Sequence, residues 1–425
     1  MGTSGEKLKR MRRFIMYAFL TAVSGIFNSY GTQLHVGTKK KYNTIKEAVL
    51  HASPFDTIIV HKGIYKEHTI VLNKPLTLIA NGKAVIDADG QAADILVLVS
   101  DSISVKGFEL INVGVSFLKE IAAIKLRRVK HVKINNNLIK NCFFGIYLEQ
   151  ASYCEITSNQ ILGSFDDEAS AGNAIHAWKG KHLRIDGNTL HGHRDGIYFE
   201  FIDDSSISYN HSYDNLRYGL HFMFSNRDEY CDNIFEKNGA GVAVMFSKQI
   251  IMINNSFMYN WGGASYGLLL KEISDGKIKG NQFIQNTIGI LAEGANRLDI
   301  NENQFSNNGT AMDMKGNCMD NNIESNNFLA NTFEVVTNSK YNTNLYKSNY
   351  WSGYSGYDLD RDGYGDVPYR PVNLFAKITH QIPSATIMLH STFVNLMEVG
   401  EKIFPQLIPE ELIDNTPKMR PYIYD

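Results

Sequence analysis

The chain of 425 residues carries 42 Lys and Arg residues against 44 Asp and Glu residues, which gives a formal net charge of -2 at pH 7. A charge this close to zero argues against a general nucleic-acid-binding protein. The four cysteines lie far apart and share no position within a repeat, which excludes a metal cluster of the CxxC type and does not indicate stacked disulfides. They are Cys142, Cys154, Cys231 and Cys318.

The start of the chain has the pattern of an export signal. A basic segment from Glu6 to Arg13 precedes an apolar run of 14 residues from Phe14 to Phe27, which is too short to span a bilayer comfortably. We therefore predict a signal peptide over residues 1–31 and export to a bacterial periplasm. A short uncleaved anchor is the alternative interpretation.

A short strand and a helix are predicted next. Thr44 supplies an N-cap hydroxyl before the apolar positions Ile45 and Ala48, and strand-like segments follow between residues 56 and 87. We interpret this region as the first, irregular coils of a solenoid, with the helix capping the open end of its core.

A repeated pattern then dominates the chain: an Asn, an apolar residue two places on and often a second Asn at five. The copies recur at spacings of 22 to 29 residues and begin at Asn136, Asn159, Asn188, Asn210, Asn233, Asn255, Asn281, Asn303, Asn326 and Asn349. Within each copy the apolar residues alternate with period two, which is typical of strands. The sequence predicts an all-β fold, a right-handed parallel β-helix over residues 32–370, with an N-terminal cap helix and a helical C-terminal tail over residues 371–425.

One strand of each coil begins at a Gly or at the equivalent Ala174. Its second and fourth residues are apolar, so its third and fifth residues must point outward. The third-position column contains Tyr147, His176, Tyr198, His221, Ala243 and Leu269, and the fifth-position column contains Glu149, Trp178, Glu200, Met223, Met245 and Lys271. Two coils carry insertions at the same corner, around residues 165–172 and 261–266, and such insertions often mark the binding face of a solenoid.

A soft ligand set lies in these columns. Outward residues two apart on a strand are ~7 Å apart and stacked residues ~4.8 Å apart, so His221, Met223 and Met245 can converge on one ion, with His176 nearby. Imidazole and thioether together favour copper, especially Cu(I). The alternative is an apolar strip that docks a protein partner. The candidate partner-binding residues of this face are Trp178, Tyr198, Glu200, Arg194, Arg217 and Trp261.

A carbohydrate-active enzyme is the alternative function, because parallel β-helices often act on polysaccharides. Candidate acid or base groups are Asp195, Glu200, Asp203 and Asp204, with an arginine as electrostatic partner. The outward columns mix in Met, Leu and Ala, whereas a sugar groove needs more acidic and aromatic residues. We therefore predict that the chain is not an enzyme.

The tail holds two further candidate sites. Asp358, Asp360, Asp362 and Asp366 resemble the first half of a calcium loop, although Tyr369 stands where the usual bidentate Glu belongs. An Asp-rich turn that bonds only its own backbone is the alternative.

Beyond this loop an apolar helical stripe includes Leu389, Phe393 and Leu396. It either caps the last coil or packs on a membrane-protein partner, and we favour the partner.

Several longer strings resemble the NosD family, periplasmic β-helix proteins of nitrous-oxide reductase maturation. They cover residues 193–201, 217–223, 238–245, 260–271, 349–351, 358–366 and 368–371, and the resemblance continues into the tail. The resemblance implies a non-enzymatic accessory of an ABC ATPase and membrane permease, associated with the inner membrane through that permease. It also implies a part in assembling the copper centre of nitrous-oxide reductase by copper or sulfur delivery, with a copper chaperone as donor. Under this reading the tail contacts the permease, and the His and Met residues face the copper donor or the reductase.

Overall fold

The chain forms an all-β parallel solenoid of about 14 turns and is only 5% helical, as the sequence predicted. The computed structural model describes residues 31–165, 167–338, 343–372, 375, 378–379, 382–389, 391–403 and 412–424. The predicted signal peptide therefore lies outside the described residues, apart from Gly31. Within the described part, no helix is both long enough and apolar enough to cross a membrane.

Two parallel sheets run along the solenoid. The smaller has 12 strands, each from a different coil, and it carries the outward columns. Its strands are Ile70–Leu72, Leu96–Leu98, Ala122–Arg127, Phe144–Glu149, Ile175–Lys181, Asp195–Asp203, Tyr218–Met223, Ala240–Met245, Leu268–Lys271, Ile288–Glu293, Thr310–Met314 and Phe333–Val336.

The larger sheet has 25 strands and bends at a corner. It starts with Gln33–Val36, Thr57–Lys66 and Thr77–Asp87. On one side of the corner follow Ser104–Lys106, Lys133–Asn135, Glu155–Thr157, Arg184–Asp186, Ser206–Ser208, Glu229–Cys231, Ile251–Ile253, Lys277–Lys279, Asp299–Asn301, Asn322–Glu324 and Leu345–Lys347. On the other side lie Glu109–Ile111, Leu138–Lys140, Gln160–Leu162, Thr189–His191, His211–Tyr213, Ile234–Glu236, Ser256–Met258, Gln282–Ile284, Gln304–Ser306, Asn327–Leu329 and Tyr350–Trp351.

A ladder of buried, hydrogen-bonded asparagines stabilises the corner of the larger sheet. The Asn159 amide nitrogen donates to the side-chain oxygen of Asn188 at 3.0 Å and to the carbonyl of Ile134 at 3.0 Å, so each buried amide is satisfied by the neighbouring coils. The sequence pattern placed the first rung at Asn136, and this is wrong by one residue. Asn137 is the buried rung, whereas Asn136 is the turn residue before it, with φ +53°.

The core on this side is a row of stacked aromatic rings, with centroids 4.2 to 5.6 Å apart. Its members are Phe235, Phe257, Phe283, Phe305, Phe328 and Trp351. Because each ring comes from the same repeat position, a regular sequence period produces a continuous core.

Helix α1 (Ile45–His51) caps the first coils. Its N-cap is Thr44, whose hydroxyl oxygen accepts from the Glu47 amide at 3.2 Å, and its buried face includes Ile45 and Ala48. This agrees with the predicted cap helix.

The C-terminal region contains a 3-10 helix (Pro383–Met388) and helix α2 (Thr392–Ile403), but residues 412–424 are extended and return to the solenoid. The Asp414 carboxylate accepts from the backbone of Asn349 at 2.9 Å and from the Trp351 indole at 3.0 Å. Asp414 thus takes the next rung of the asparagine ladder. The prediction of helix over the whole tail is wrong for this segment, because the last coil leaves buried donors that need an acceptor.

Candidate functional site

The strand register matches the predicted columns. Tyr198 pairs with His176 on one side and with His221 on the other, and Met223 pairs with Met245 on the next coil. His221 and Met223 therefore lie on one face of the strand Tyr218–Met223, two residues apart.

Some outward-facing residues of the third-position column are nevertheless buried. His221 is only 6% exposed, and Ala243 and Leu269 in the same column are also buried. Tyr266, from the end of an insertion, and Ala240 pack with Ala243 and Leu269 as a second apolar cluster outside the solenoid core. The third-position column points outward from the solenoid core as predicted, but it is covered there, because the aromatic rings next to the insertions pack over it. The fifth-position column is half-buried and remains accessible.

The His221 ring lies among aromatic rings and has no polar partner. Its centroid is 5.0 Å from that of Tyr198 and 4.9 Å from that of Tyr218, and neither ring nitrogen has a hydrogen-bond partner among the described residues. Burial lowers its pKa to about 4, although the charge of Asp195 opposes this shift. The imidazole is therefore neutral at pH 7 and offers a free lone pair. A buried polar group without a partner requires an explanation, and a bound ion is one.

The two thioethers belong to residues on the same sheet face as His221, Met223 two residues along its strand and Met245 on the next strand. Met223 and Met245 are half-buried, and the Tyr198 hydroxyl lies 3.9 Å from the Met223 sulfur. Met245 packs against the apolar cluster of Ala243 and Tyr266. One neutral imidazole and two thioethers in a partly dry setting match the donor set that Cu(I) prefers.

The structure does not bring His176 into this set. Its ring is stacked between those of Tyr147 and Tyr198, at centroid distances of 4.7 Å on both sides, so Tyr198 separates it from His221. Its Nδ1 is 3.0 Å from the Asn173 side-chain amide. Burial, with the nearby Arg194 charge, lowers the pKa of His176 to about 3. His176 is thus a packed and partnered neutral ring.

The arginines of the face are held by a buried carboxylate. Arg217 makes a bidentate pair with Asp195, at 2.9 Å from Nε and 2.6 Å from the guanidinium terminus, and Arg194 lies 3.9 Å from the same carboxylate. Asp203 and Asp204 pair with Arg227 at 3.6 and 2.6 Å. Three of the four candidate acids are therefore engaged in ion pairs, which weakens the carbohydrate-enzyme interpretation.

A family model described as periplasmic copper-binding protein (NosD) matches residues 104–211 and 163–356, which together exceed half of the chain and include the His and Met set. The chain belongs to the NosD family. A relative from Pseudomonas aeruginosa, named probable ABC transporter binding protein NosD, is 27% identical over 82% of this chain and 85% of its own length. A relative of the same name from Stutzerimonas stutzeri is 24% identical over 82% of this chain and 84% of its own length.

Two solved structures share the fold of this NosD-family chain. The A-module of a mannuronan C-5 epimerase from Azotobacter vinelandii matches with a TM-score of 0.52 and 14% identity, over 71% of this chain and 86% of its own. The Dettilon tailspike protein matches with a TM-score of 0.53 and 10% identity, over 68% of this chain and 64% of its own. At these identities the likeness concerns the solenoid alone.

A row of exposed phenylalanines next to the fifth-position column was not predicted from the sequence. Phe201, Phe224 and Phe246 directly follow Glu200, Met223 and Met245, and they are 44%, 39% and 42% exposed. Their rings stack with centroids 5.2 and 5.1 Å apart. Each has a positive φ between 51° and 55°, which is uncommon for a bulky residue. The recurrence of Phe at one repeat position in three successive coils could have predicted this row.

Other predicted partner residues of the NosD-family chain differ in accessibility. Trp178 is half-buried with Lys179 over its ring at 4.5 Å, whereas Trp261 on an insertion is 65% exposed. On the tail, Leu389 is half-buried, and Phe393 and Leu396 are 51% and 70% exposed. The tail stripe is therefore largely uncovered by the described residues.

The predicted calcium loop has mixed geometry. Oxygens of Asp358, Asp360 and Asp362 lie within 4.8 Å of one another. Asp366 is not part of this group, and it accepts from the Leu359 amide at 2.6 Å. Backbone amides of the loop also donate to Asp358, as in the alternative of an Asp-rich turn.

Proposed function

We propose that this chain is a non-enzymatic accessory protein of an ABC-type transporter that hands copper toward the copper centre of nitrous-oxide reductase. The observation that carries the proposal is the buried, neutral imidazole of His221, which has no hydrogen-bond partner among the described residues and shares a sheet face with Met223 and Met245. The family description as copper-binding and the names of the two relatives support it.

The chemistry suits transient carriage of Cu(I). The His221 nitrogen is held in a dry, aromatic setting, which favours one fixed ligand. The thioethers of Met223 and Met245 are half-buried, so a partner's ligands can replace them one at a time. We propose a copper chaperone as donor and the reductase as acceptor, with sulfur as the alternative cargo.

Two separate surfaces serve partners in this proposal. The row of Phe201, Phe224 and Phe246 borders the thioethers and suits docking of the copper donor or the reductase. The exposed Phe393 and Leu396 on helix α2 suit the membrane permease of the transporter, which holds the protein at the inner membrane. Both surfaces are apolar, whereas most of the outward solenoid positions are polar.

Titration with Cu(I) under reducing conditions tests the proposal. The protein is compared with a variant in which His221, Met223 and Met245 are all changed to Ala, with folding checked by circular dichroism. We expect about one equivalent for the protein and none for the variant.

A matched control changes His211, Met258 and Met319 to Ala, which removes the same residue types away from the columns. This control should bind copper like the unchanged protein. Equal binding by all three proteins, or by none, would show that the columns do not hold the metal.

A further inference from the structure

A cavity lies at the N-terminal end of the solenoid, several coils away from the copper-site candidates. Its volume is about 540 Å³, which is within the usual range for small-molecule sites. Three consecutive lysines, Lys39, Lys40 and Lys41, line it together with His35 and His51. This concentration of cationic side chains in one concave place is independent of the copper proposal.

The lysines are presented by a tight loop between the first strand and helix α1. The Gly37 amide donates to the Tyr42 carbonyl at 2.9 Å, and the Lys40 amide donates to the Gly37 carbonyl at 3.0 Å. Tyr42 is buried and anchors the end of the loop, while Lys39 has a left-handed φ of +65°. The loop is therefore a fixed turn that holds its lysines at the cavity.

The positive charge of the cavity is not neutralised by the protein. None of the three lysines forms an ion pair with a described carboxylate. The acid in the lining is Asp56, whose oxygens already accept from the Thr32 amide at 2.7 Å and the Ser53 amide at 2.7 Å. Although burial raises the pKa of Asp56, these hydrogen bonds hold it below its ordinary value, so Asp56 is ionised. Three ammonium groups against one carboxylate leave a net charge of about +2 at neutral pH.

The imidazole of His61, which contacts His35 of the cavity lining, responds to this charge. His35 Nδ1 and His61 Nε2 are 3.0 Å apart, so the two rings share one hydrogen. Burial, the Lys40 charge and the neighbouring His35 lower the pKa of His61. A cation would meet the same repulsion, whereas an anion would relieve it. The neighbouring lysines therefore favour a negatively charged ligand over a metal ion.

We infer that the cavity beside Lys39, Lys40 and Lys41 binds a phosphate group. A phosphate carries a charge of about -1.5 to -2 at pH 7, which matches the net charge of the lining, and lysines are usual phosphate-binding residues. The phosphate is either free in solution or part of a lipid headgroup. The chemistry is the same, and the source is decided by experiment.

The test uses two probes at low ionic strength. Inorganic phosphate is titrated calorimetrically, and vesicles of phosphatidylcholine with or without phosphatidic acid are used in sedimentation. The test variant changes Lys39, Lys40 and Lys41 to Ser. A matched control changes Lys237, Lys248 and Lys277 to Ser, because these lysines are also exposed, form no ion pair with a described carboxylate and lie far from the cavity.

We expect saturable binding that is at least tenfold weaker in the cavity variant, unchanged in the control and weakened by added salt. Selective binding of inorganic phosphate identifies a free ligand, and binding only to vesicles with phosphatidic acid identifies a membrane lipid. Absence of binding to both probes, or an equal loss in the control variant, overturns the inference. Copper binding by the cavity variant should be unchanged, so the two proposals can fail separately.

Discussion

Replacing His221 by Leu should stabilise the fold and abolish copper binding. The imidazole is buried among aromatic rings, and neither of its nitrogens has a partner in the described part of the chain. Burying a polar group without a hydrogen bond costs about 1–3 kcal/mol. Leu fills a similar volume without that cost. We therefore expect the free energy of unfolding to rise by about 1–2 kcal/mol.

His193 provides the matched control. It is also buried, and burial lowers its pKa to about 4, although a hydrogen bond with the backbone of Gly172 opposes this shift. It faces Phe165 at a centroid distance of 5.5 Å and has no thioether of Met223 or Met245 in its column. His193→Leu should therefore stabilise the protein less than His221→Leu, because it removes this hydrogen bond, and should leave the Cu(I) affinity unchanged.

Urea unfolding followed by circular dichroism measures the overall effect, and amide hydrogen exchange of the strand Tyr218–Met223 measures the local one. Cu(I) titration of both variants completes the experiment. A loss of more than 1 kcal/mol in His221→Leu would mean that the imidazole makes a favourable contact in the metal-free protein. Loss of copper binding in both variants would refute the assignment to His221 in particular.

Three further predictions concern the scaffold and the tail. Asn255→Ala should lower the free energy of unfolding by about 3 kcal/mol, measured by urea unfolding, because the Asn233 amide and the Tyr230 carbonyl lose a buried partner. Burial raises the pKa of Glu334 to about 7, above its ordinary value of 4.5. The contribution of this carboxyl group to stability is therefore complete below pH 4.5 and lost as the pH rises through 7, and Glu334→Gln should flatten thermal stability across this window. If the aspartate loop binds calcium, added Ca²⁺ should raise the melting temperature, and Asp360→Asn should remove the increase; no change on adding Ca²⁺ would favour the Asp-rich turn.

The strand register followed from the sequence because it depends on local spacing. Within each coil the apolar residues alternate with period two between the turns. Residues at the same distance from the Gly that begins the strand therefore stack on one another in successive coils. Tyr198, His221 and Ala243 accordingly align as predicted. The error at Asn136 arose because two consecutive asparagines both fit the pattern, and only burial distinguishes the rung from the turn.

The site was predicted less completely, because its environment depends on segments distant in sequence. Tyr266 lies at the end of an insertion and covers a column whose residues the strand pattern marks only as outward. Tyr198 lies between His176 and His221, and this separation requires knowing the side-chain packing as well as the strand register.

The sequence by itself determined the β-solenoid, the aligned columns and the NosD family, since each rests on a repeated local pattern or on contiguous strings. Only the tertiary structure decided that His221 is buried without a partner, that His176 stands apart from it, and that Asp414 completes the asparagine ladder 65 residues beyond Asn349. Burial and hydrogen-bond satisfaction are properties of the assembled coils. They arise when distant segments pack together, and no local spacing in the chain encodes them.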